Sequence, residues 1–253
     1  MNDVKVYTKN DKKALADGNS NRAVFVSDEA ILAMIQGGCF DGCDCIFEYN
    51  QSMLWDVLIM LLAMAAYGGV HSLLAARRSK AWAARRLGVA GQRFYRLFFV
   101  LFAALSFLPI GVGLLLHPGT VLYRVPAPFS WGLLALQGAC VAGLMITFLQ
   151  TGVLAFLGLD AFLPNRDRPG RPALVQTGLY RWVRHPIYTL SLLALFATPV
   201  MTTTWLGLCL GALFYILVAL PWEESKLLDE FGDAYRDYRQ RTPALIPGVK
   251  MRS

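Results

Sequence analysis

Long uncharged stretches alternate along the chain with short polar ones, and this alternation predicts membrane-spanning helices. The first stretch, 53–76, is almost free of charge, and the second, 97–116, ends at His117-Pro118-Gly119, a sequence that stops helices. The third stays uncharged over 129–159, which is ~46 Å of helix against a hydrocarbon core of ~30 Å. We therefore predict three spans here, the third tilted or projecting past the cytoplasmic surface.

A fourth uncharged stretch, 186–222, is long enough for two helices. Pro199 and the threonines at 202–204 predict a turn inside it. Each helix would then have about 15 residues, which is short for an independent span. Such a hairpin must lean on neighbouring helices, because lipid offers no partners for the backbone of its loop.

The sequence after this hairpin is amphipathic. Beyond Glu223 and Glu224, apolar residues recur at helical spacing as far as Tyr238. The pattern predicts a surface helix that ends before Pro243. The fold class is therefore an all-α integral membrane protein, with about five transmembrane helices and a cytoplasmic amphipathic C-terminal helix. Composition agrees, because 16% of the residues are charged whereas a soluble domain carries about 25%.

The net charge of +7 fits a nucleic-acid-binding protein as well as a membrane protein, so the location of the charge decides. Basic residues between the first two apolar stretches include Arg77, Arg78, Lys80, Arg85, Arg86 and Arg93. Basic charge at such a place follows the positive-inside rule. The interposed Trp82 and Leu87 predict a short interfacial helix. We therefore expect the lipid bilayer as a partner and no nucleic acid.

The same rule orients the chain. The connections 77–93 and 160–184 are rich in arginine, whereas 117–130 contains Arg124 as its one basic residue. The first two connections are therefore predicted to be cytoplasmic and the third external. This places the N-terminus outside and the C-terminus in the cytoplasm.

Residues 1–52 differ in character from the membrane domain predicted over 53–253. They are polar and mixed in charge, with a short amphipathic stretch at 30–35 and no visible secretory signal. They form a tail of unknown role, which could be flexible, an accessory module, or residues upstream of a true start at Met53. The cysteines in it are Cys39, Cys43 and Cys45. Their spacing matches no standard zinc signature, and no metal site is predicted.

The segment 174–247 holds the candidate chemistry. It opens with a polar, aromatic and basic sequence at 174–188 and continues through the uncharged hairpin to Glu223-Glu224. It closes with an aromatic sequence at 231–238. Two polar clusters thus flank an apolar hairpin and reach the same face of the membrane, where a cofactor site could form.

This segment resembles the isoprenylcysteine carboxyl methyltransferase superfamily, which includes the phospholipid N-methyltransferases and a bacterial methanethiol S-methyltransferase branch. The resemblance is carried by Tyr-x-x-x-Arg-His-Pro-x-Tyr at 180–188, Glu-Glu at 223–224, Phe-Gly-x-x-Tyr-x-x-Tyr at 231–238 and Pro-x-Leu-Ile-Pro at 243–247. Upstream, 71–75 and 156–159 are similar to the bacterial branch. One position departs from the pattern, since Leu190 stands where the superfamily usually has glycine and could narrow the pocket or shift the cofactor.

The resemblance implies a methyltransferase of the bacterial inner membrane that uses S-adenosylmethionine. The cofactor-binding residues that it implies are Tyr180, Arg184, His185, Pro186, Tyr188, Glu223, Glu224 and Tyr235. We assign His71 and Leu190 to the substrate pocket. No catalytic residue is assigned, because a sulfonium is already a strong methyl donor. The protein has to hold donor and acceptor in line and exclude water.

Elementary chemistry supports a cofactor-binding role for these residues, but it also allows an explanation that involves no cofactor. Pro186 would begin a helix whose free N–H groups, with Arg184 and His185, suit the carboxylate of the cofactor. Glu223 and Glu224 could accept hydrogen bonds from a ribose or pair with an ammonium group, and tyrosines could pack around adenine. The alternative explains the same residues without a cofactor. Arg184 and His185 would be ordinary positive-inside charge, and Glu223 and Glu224 negative charge at a helix start. His71 would be an interfacial histidine, and the tyrosines would form an aromatic membrane belt.

The acceptor predicted from the resemblance is a small lipophilic thiol. A thiol reacts as thiolate, with an ordinary pKa of ~8.5. The hairpin 186–222 carries no Lys or Arg, so a substrate carboxylate entering there would meet no cation. Methylation of isoprenylcysteine or of a lipid amine is the alternative within the enzymes. A non-catalytic membrane assembly or transport protein is the alternative outside them, supported by Leu190.

Overall fold

The computed structural model describes residues 4–9, 12–17, 24–26, 42–163 and 173–249. The chain divides into two compact units, Met1–Trp55 and Asp56–Ser253. The first unit contains an antiparallel sheet in the order β1 (Val4–Lys9), β2 (Lys12–Asp17), β3 (Val24–Val26). Sequence analysis predicted no strands in this region. Its amphipathic stretch at 30–35 and Cys39 lie outside the described residues.

The second unit is built from helices, which confirms the predicted fold class. The helices are α1 (Gly42–Ala75, which begins in the first unit), α2 (Arg77–Leu116), α3 (Phe129–Thr151), α4 (Val153–Leu157), α5 (Pro186–Phe196), α6 (Thr203–Phe231) and α7 (Asp233–Arg241). Two short strands, β4 (Val121–Arg124) and β5 (Val200–Thr202), pair antiparallel.

Four helical segments in the described part of the chain are long and apolar enough to cross a membrane. They are Gln51–Ala75, Arg93–Leu116, Phe129–Thr151 and Thr203–Phe231. The fifth predicted span corresponds to α5, whose 11 residues make a shorter apolar helix. Within its described residues the chain therefore has four helices of spanning length and one shorter apolar helix.

The connection between the first two spans is helical, as predicted, and its place at the membrane interface stays a prediction. Within α2, Gly88 adopts a left-handed φ of +58°, which glycine tolerates better than other residues. It separates the basic segment 77–87 from the membrane-spanning part. The hydroxyl of Tyr95 donates a hydrogen bond of 2.7 Å to the carbonyl of Leu74, which holds α2 against the end of α1.

The expectation of one long helix over 129–159 is wrong. The helix α3 ends at Thr151, Gly152 takes a φ of +85°, and a 3-10 turn (Leu159–Phe162) follows α4. Two arginines of α2 bond to carbonyl groups of this broken segment. Arg96 Nε donates to the carbonyl of Phe156 at 3.0 Å and Arg93 Nε to that of Ala161 at 2.5 Å. These long-range bonds replace helical ones.

The hairpin is asymmetric, which corrects the prediction of two equal helices. α5 has 11 residues and α6 has 29. The side chain of Thr202 caps α6 by accepting a hydrogen bond of 3.2 Å from the N–H of Trp205. The turn between the helices is stabilised by the pairing of β5 with β4, so its backbone groups find partners within the protein.

The predicted surface helix does not begin after Glu224. α6 runs through both glutamates to Phe231, and Gly232 ends it with a φ of +57°. Glutamate favours a helix, and the carboxylate of Glu224 can be buried because it is paired inside the protein, as described below. The amphipathic C-terminal helix is α7, which ends before Pro243 as predicted.

The helices α6 and α1 pack closely against each other in the second unit. A Cβ on Gly207 would lie 2.8 Å from Met60 Cβ, and one on Gly211 would lie 2.6 Å from Met64 Cβ. Small residues four apart allow such approach of two membrane helices. At the start of α6, the hydroxyl of Thr203 donates to Asp56 Oδ2 at 2.7 Å. The N–H of Thr120 donates to the hydroxyl of Thr203 at 3.0 Å, so the loop before β4 lies at the opposite end of α6 from Glu223 and Glu224.

Candidate functional site

Arg184 and Glu224 form a buried ion pair at the centre of the motif segment. Arg184 is 8% exposed and Glu224 4%. Arg184 Nε donates to Glu224 Oε1 at 2.8 Å, and Arg184 Nη2 contacts the same oxygen. Arg184 Nη1 donates to the carbonyls of Arg239, at 3.1 Å, and Thr242. Such a pair is tolerated in a buried setting because additional hydrogen bonds satisfy its groups. It joins α6, the end of α7 and the residues before α5.

The segment after α7 lies along the start of α5. The N–H of Arg184 donates to the carbonyl of Pro243 at 2.9 Å, and that of His185 to the carbonyl of Ala244 at 3.1 Å. Ala244 and Leu245 are buried in a hydrophobic cluster with two residues of α6. The Pro-x-Leu-Ile-Pro sequence therefore closes the site from the C-terminal side.

Glu223, next to the buried Glu224, faces a different environment. Its side chain is 41% exposed, and its Oε2 accepts a hydrogen bond of 2.5 Å from the hydroxyl of Tyr188. The ring of His185 stacks on that of Tyr188 with centroids 5.6 Å apart. His185 Nδ1 lies 3.9 Å from Glu223 Oε2 and His185 Nε2 lies 3.4 Å from Glu224 Oε1. One glutamate is thus available to a ligand, while the other is paired within the protein.

The tyrosines of α7 are buried in the protein, which excludes a membrane belt for them. Tyr235 is 1% exposed and Tyr238 is 3% exposed. The hydroxyl of Tyr238 donates to the carbonyl of Tyr180 at 2.5 Å. Burial raises the pKa of Tyr235, and the nearby charge of Glu224 raises it further. Burial and the charge of Glu223 raise the pKa of Tyr180 to about 12. These phenols are therefore neutral hydrogen-bonding groups.

Unpaired buried polar atoms mark where a ligand could bind. Among the described residues they are His71 Nδ1, Gln150 Oε1, His185 Nε2 and the hydroxyl of Tyr235. Leaving such an atom without a partner costs ~1–3 kcal/mol, so each requires an explanation. His185 and Tyr235 both lie against Glu224, the first at 3.4 Å and the second close enough for its pKa to respond.

Gln150, at the end of α3, is a residue that sequence analysis missed. It packs so closely on Gly178 that a Cβ on that glycine would lie 1.9 Å from Gln150 Nε2. Gly178 has a φ of +63°, so it suits this position both sterically and conformationally. The sequence feature that could have identified Gln150 is an amide side chain within a long uncharged stretch.

The two residues predicted for the substrate pocket lie on different sides of the hairpin. His71 lies among aromatic rings of α1, α2 and α6, with its ring centroid 4.7 Å from that of Phe99 and 6.1 Å from that of Tyr215. Leu190 packs toward α3, where a Cβ on Gly143 would lie 2.9 Å from Leu190 Cδ1.

Comparison with known proteins connects this geometry to a family. The phospholipid methyltransferase family model matches residues 129–234, the range from α3 to the start of α7. Methanethiol S-methyltransferase 2 of Bradyrhizobium diazoefficiens is 35% identical over 196 residues, which cover 76% of this chain and 73% of that protein. The chain belongs to the isoprenylcysteine carboxyl and phospholipid methyltransferase superfamily.

Other relatives within the superfamily agree. A methanethiol S-methyltransferase of Mycobacterium tuberculosis is 34% identical over 196 residues, 76% of this chain and 78% of that protein. A protein-S-isoprenylcysteine O-methyltransferase of Schizosaccharomyces pombe is 35% identical over 100 residues, 37% and 39% of the two chains. No solved structure matches. The chain is a membrane methyltransferase, as predicted, and it acts with a methyl donor.

Proposed function

We propose that this methyltransferase uses S-adenosylmethionine to methylate a small lipophilic thiol. The observation that carries the proposal is the partly exposed carboxylate of Glu223, held by Tyr188. On the neighbouring Glu224 lie two buried polar groups, His185 Nε2 and the hydroxyl of Tyr235, that lack a well-formed hydrogen bond within the described residues. A carboxylate acceptor next to unused polar groups is what a cofactor with charged and hydroxyl groups requires.

The residues present fit this cofactor. Glu223 can accept hydrogen bonds from ribose hydroxyls or pair with the ammonium group, since its side chain is 41% exposed. His185 and Tyr235 can donate hydrogen bonds to the cofactor's carboxylate. Pro186 occupies the first turn of α5, and the positive end of the helix dipole there favours an anion.

Arg184 and Glu224 have a supporting role in this proposal. The guanidinium already bonds Glu224 and two backbone carbonyls. We propose that the ion pair fixes α6 and α7 around the cofactor and that Arg184 acts by positioning. The tyrosines Tyr180 and Tyr188 complete the polar wall beside Glu223.

When bound, the cofactor supplies a methyl group on a sulfonium. The protein's own residues bind its polar ends, orient it and exclude water, which is most of what this chemistry needs. The thiol is proposed from the names of the bacterial relatives and from the absence of Lys and Arg in the hairpin sequence 186–222. A small apolar acceptor can reach the site from the bilayer.

The test is methyl transfer by the purified protein in liposomes with labelled S-adenosylmethionine. The acceptors are ethanethiol, phosphatidylethanolamine and farnesylcysteine, presented separately. We expect the label in ethyl methyl sulfide. Label in the lipid or in the prenylcysteine ester, with none in the sulfide, would overturn the thiol assignment in favour of the other superfamily activities.

We also propose the orientation that the charge asymmetry predicts, with the site at the cytoplasmic face of the bacterial inner membrane. A single cysteine replaces Trp82 or Leu122 in a chain whose native cysteines are changed to serine. In intact cells an impermeant maleimide should label position 122 and spare position 82. The reverse pattern would place the site outside.

We further propose that residues 53–253 form the methyltransferase domain and that 1–52 are a separate tail. A chain shortened to begin at Met53 should keep membrane insertion and thiol methylation. Loss of both cofactor binding and activity, with insertion retained, would assign the tail to the active unit.

A further inference from the structure

His71 is a partly buried titratable group that the cofactor site leaves unused. Its Nδ1 is buried and has no hydrogen-bond partner among the described residues. Its ring is surrounded by those of Tyr67, Phe99 and Tyr215, at centroid distances of 5.7, 4.7 and 6.1 Å. We call these three aromatic side chains around His71 the His71 pocket. An unpaired acceptor atom among aromatic rings suits a small apolar ligand that carries one proton to donate.

Tyr215 connects this pocket to the cofactor site. On one side its ring is edge-on to that of His71, and its hydroxyl lies 3.4 Å from the hydroxyl of Ser72. On the other side Tyr215 and Tyr188 pack against the same buried cluster. Tyr188 in turn bonds Glu223. The side chain of Tyr215 therefore lies between His71 and the proposed cofactor site at Tyr188 and Glu223.

We infer that His71 accepts the proton of the thiol acceptor, which binds among Tyr67, Phe99 and Tyr215. This inference rests on the proposed function. Sulfur makes favourable contacts with aromatic rings, so these walls suit a thiol and its thioether product. A thiol must lose its proton to react, and a neutral imidazole with its proton on Nε2 leaves Nδ1 as a base.

The step balances in atoms and charge. The S–H bond breaks and its proton moves to His71 Nδ1, leaving the electron pair on the acceptor sulfur. That sulfur forms a bond to the methyl carbon and displaces the donor as a neutral thioether, which keeps the electron pair of the broken carbon–sulfur bond. The product is a neutral methyl thioether, and the imidazolium of His71 returns its proton to water.

His71 could act as a base or serve packing alone, and the two roles predict different effects of its substitution. Two thiols of similar size but different acidity distinguish them. Ethanethiol is a weak acid and needs a base to form its thiolate. The thiol of 2,2,2-trifluoroethanethiol is much more acidic, so its reaction depends less on a base. The variants are His71→Phe, which keeps an aromatic ring, and His71→Asn, which keeps a polar atom but removes the base. Both are assayed as full-length protein in liposomes.

Loss of general base catalysis typically costs ~10²-fold or more. We expect both variants to lose about 100-fold in kcat/KM with ethanethiol and less than about tenfold with trifluoroethanethiol. S-adenosylhomocysteine should bind each variant with wild-type affinity by calorimetry, which shows that the fold and the cofactor site are intact.

Equal losses with both thiols, or no loss with either, would overturn the inference and leave His71 a packing residue. In both cases thiol methylation by the wild-type protein would still stand. A wild-type protein that methylates neither thiol would overturn the proposed function and this inference together.

Discussion

Leu190 of α5 lies directly over Gly143 of α3, so that a Cβ on Gly143 would be 2.9 Å from Leu190 Cδ1. The superfamily pattern has a glycine at position 190, and this chain instead places the small residue on the facing helix. The leucine therefore occupies space that Gly143 leaves open. Its presence is compatible with a working site, which agrees with membership of an enzyme family.

This pairing predicts a coupling between the two positions. Gly143→Ala should lower the free energy of unfolding by about 1 kcal/mol relative to Gly138→Ala on the same helix, because both changes gain helix propensity and Gly143→Ala alone makes Leu190 shift. The same change in a Leu190→Ala background should cost much less. Leu190→Gly should leave the affinity for S-adenosylhomocysteine unchanged. Thermal unfolding and calorimetry in detergent measure both quantities.

Gly138→Ala is the matched control, since it lies on the same helix and its added Cβ would meet nothing within 4 Å. Additive costs at positions 143 and 190 would contradict the pairing. A strong change of cofactor affinity in Leu190→Gly would instead assign that side chain to the cofactor site.

The adjacent glutamates should respond differently to the same substitution. Glu223→Gln should weaken S-adenosylhomocysteine binding about ten- to hundredfold, the equivalent of ~1.5–3 kcal/mol for a hydrogen bond to a charged group, with little change in stability. Glu224→Gln should destabilise the protein by ~3–5 kcal/mol, because it leaves the guanidinium of Arg184 buried without a counter-charge. Calorimetry and chemical unfolding separate the effects, and equal behaviour of the variants would contradict the assigned roles.

Two tyrosine hydroxyls of α7 offer a similar contrast. Tyr238→Phe removes a hydrogen bond to the carbonyl of Tyr180 and should destabilise the protein by ~1 kcal/mol. Tyr235→Phe removes a buried hydroxyl that has no partner among the described residues. It should therefore destabilise the unliganded protein less than Tyr238→Phe does, while weakening cofactor binding about five- to tenfold. A loss of stability in Tyr235→Phe without loss of affinity would show that the hydroxyl serves the fold.

Much of this architecture could be predicted from local sequence. Apolar runs located the four long helices, and the motif order located the elements that meet at Glu223. The departures come from contacts between distant residues. α6 carries Glu224 into the protein interior because Arg184, 40 positions away, neutralises its carboxylate. The helix after Phe129 stops at Thr151, and arginines of α2 bond the carbonyls beyond the break.

The site, like the fold, could be predicted from local sequence only in part. Motif spacing identified His185, Tyr188 and Glu223 as neighbours, because all belong to one recognisable pattern. It could not separate the exposed Glu223 from the buried Glu224, since which side of α6 faces the protein depends on tertiary packing. Gln150 could not be found either, because its importance follows from a contact with Gly178 that only the folded chain creates.

The position of Tyr215 depends on a glycine of α1, which gives a test of the pocket that spares His71. A Cβ on Gly68 would lie 2.5 Å from Tyr215 Cδ2, whereas one on the neighbouring Gly69 would meet nothing within 4 Å. Both changes to alanine raise helix propensity by about the same amount, ~1 kcal/mol. Gly68→Ala should therefore displace Tyr215 from His71, while Gly69→Ala should not.

The expected result is a KM for ethanethiol that rises about tenfold in Gly68→Ala, with S-adenosylhomocysteine affinity unchanged. Gly69→Ala should keep the wild-type KM and unfold at a slightly higher temperature. Because the two substitutions differ only in whether Tyr215 is displaced, the comparison isolates that side chain. Equal KM values in the two variants would show that the acceptor does not bind against Tyr215, and the pocket would have to be sought elsewhere around the hairpin.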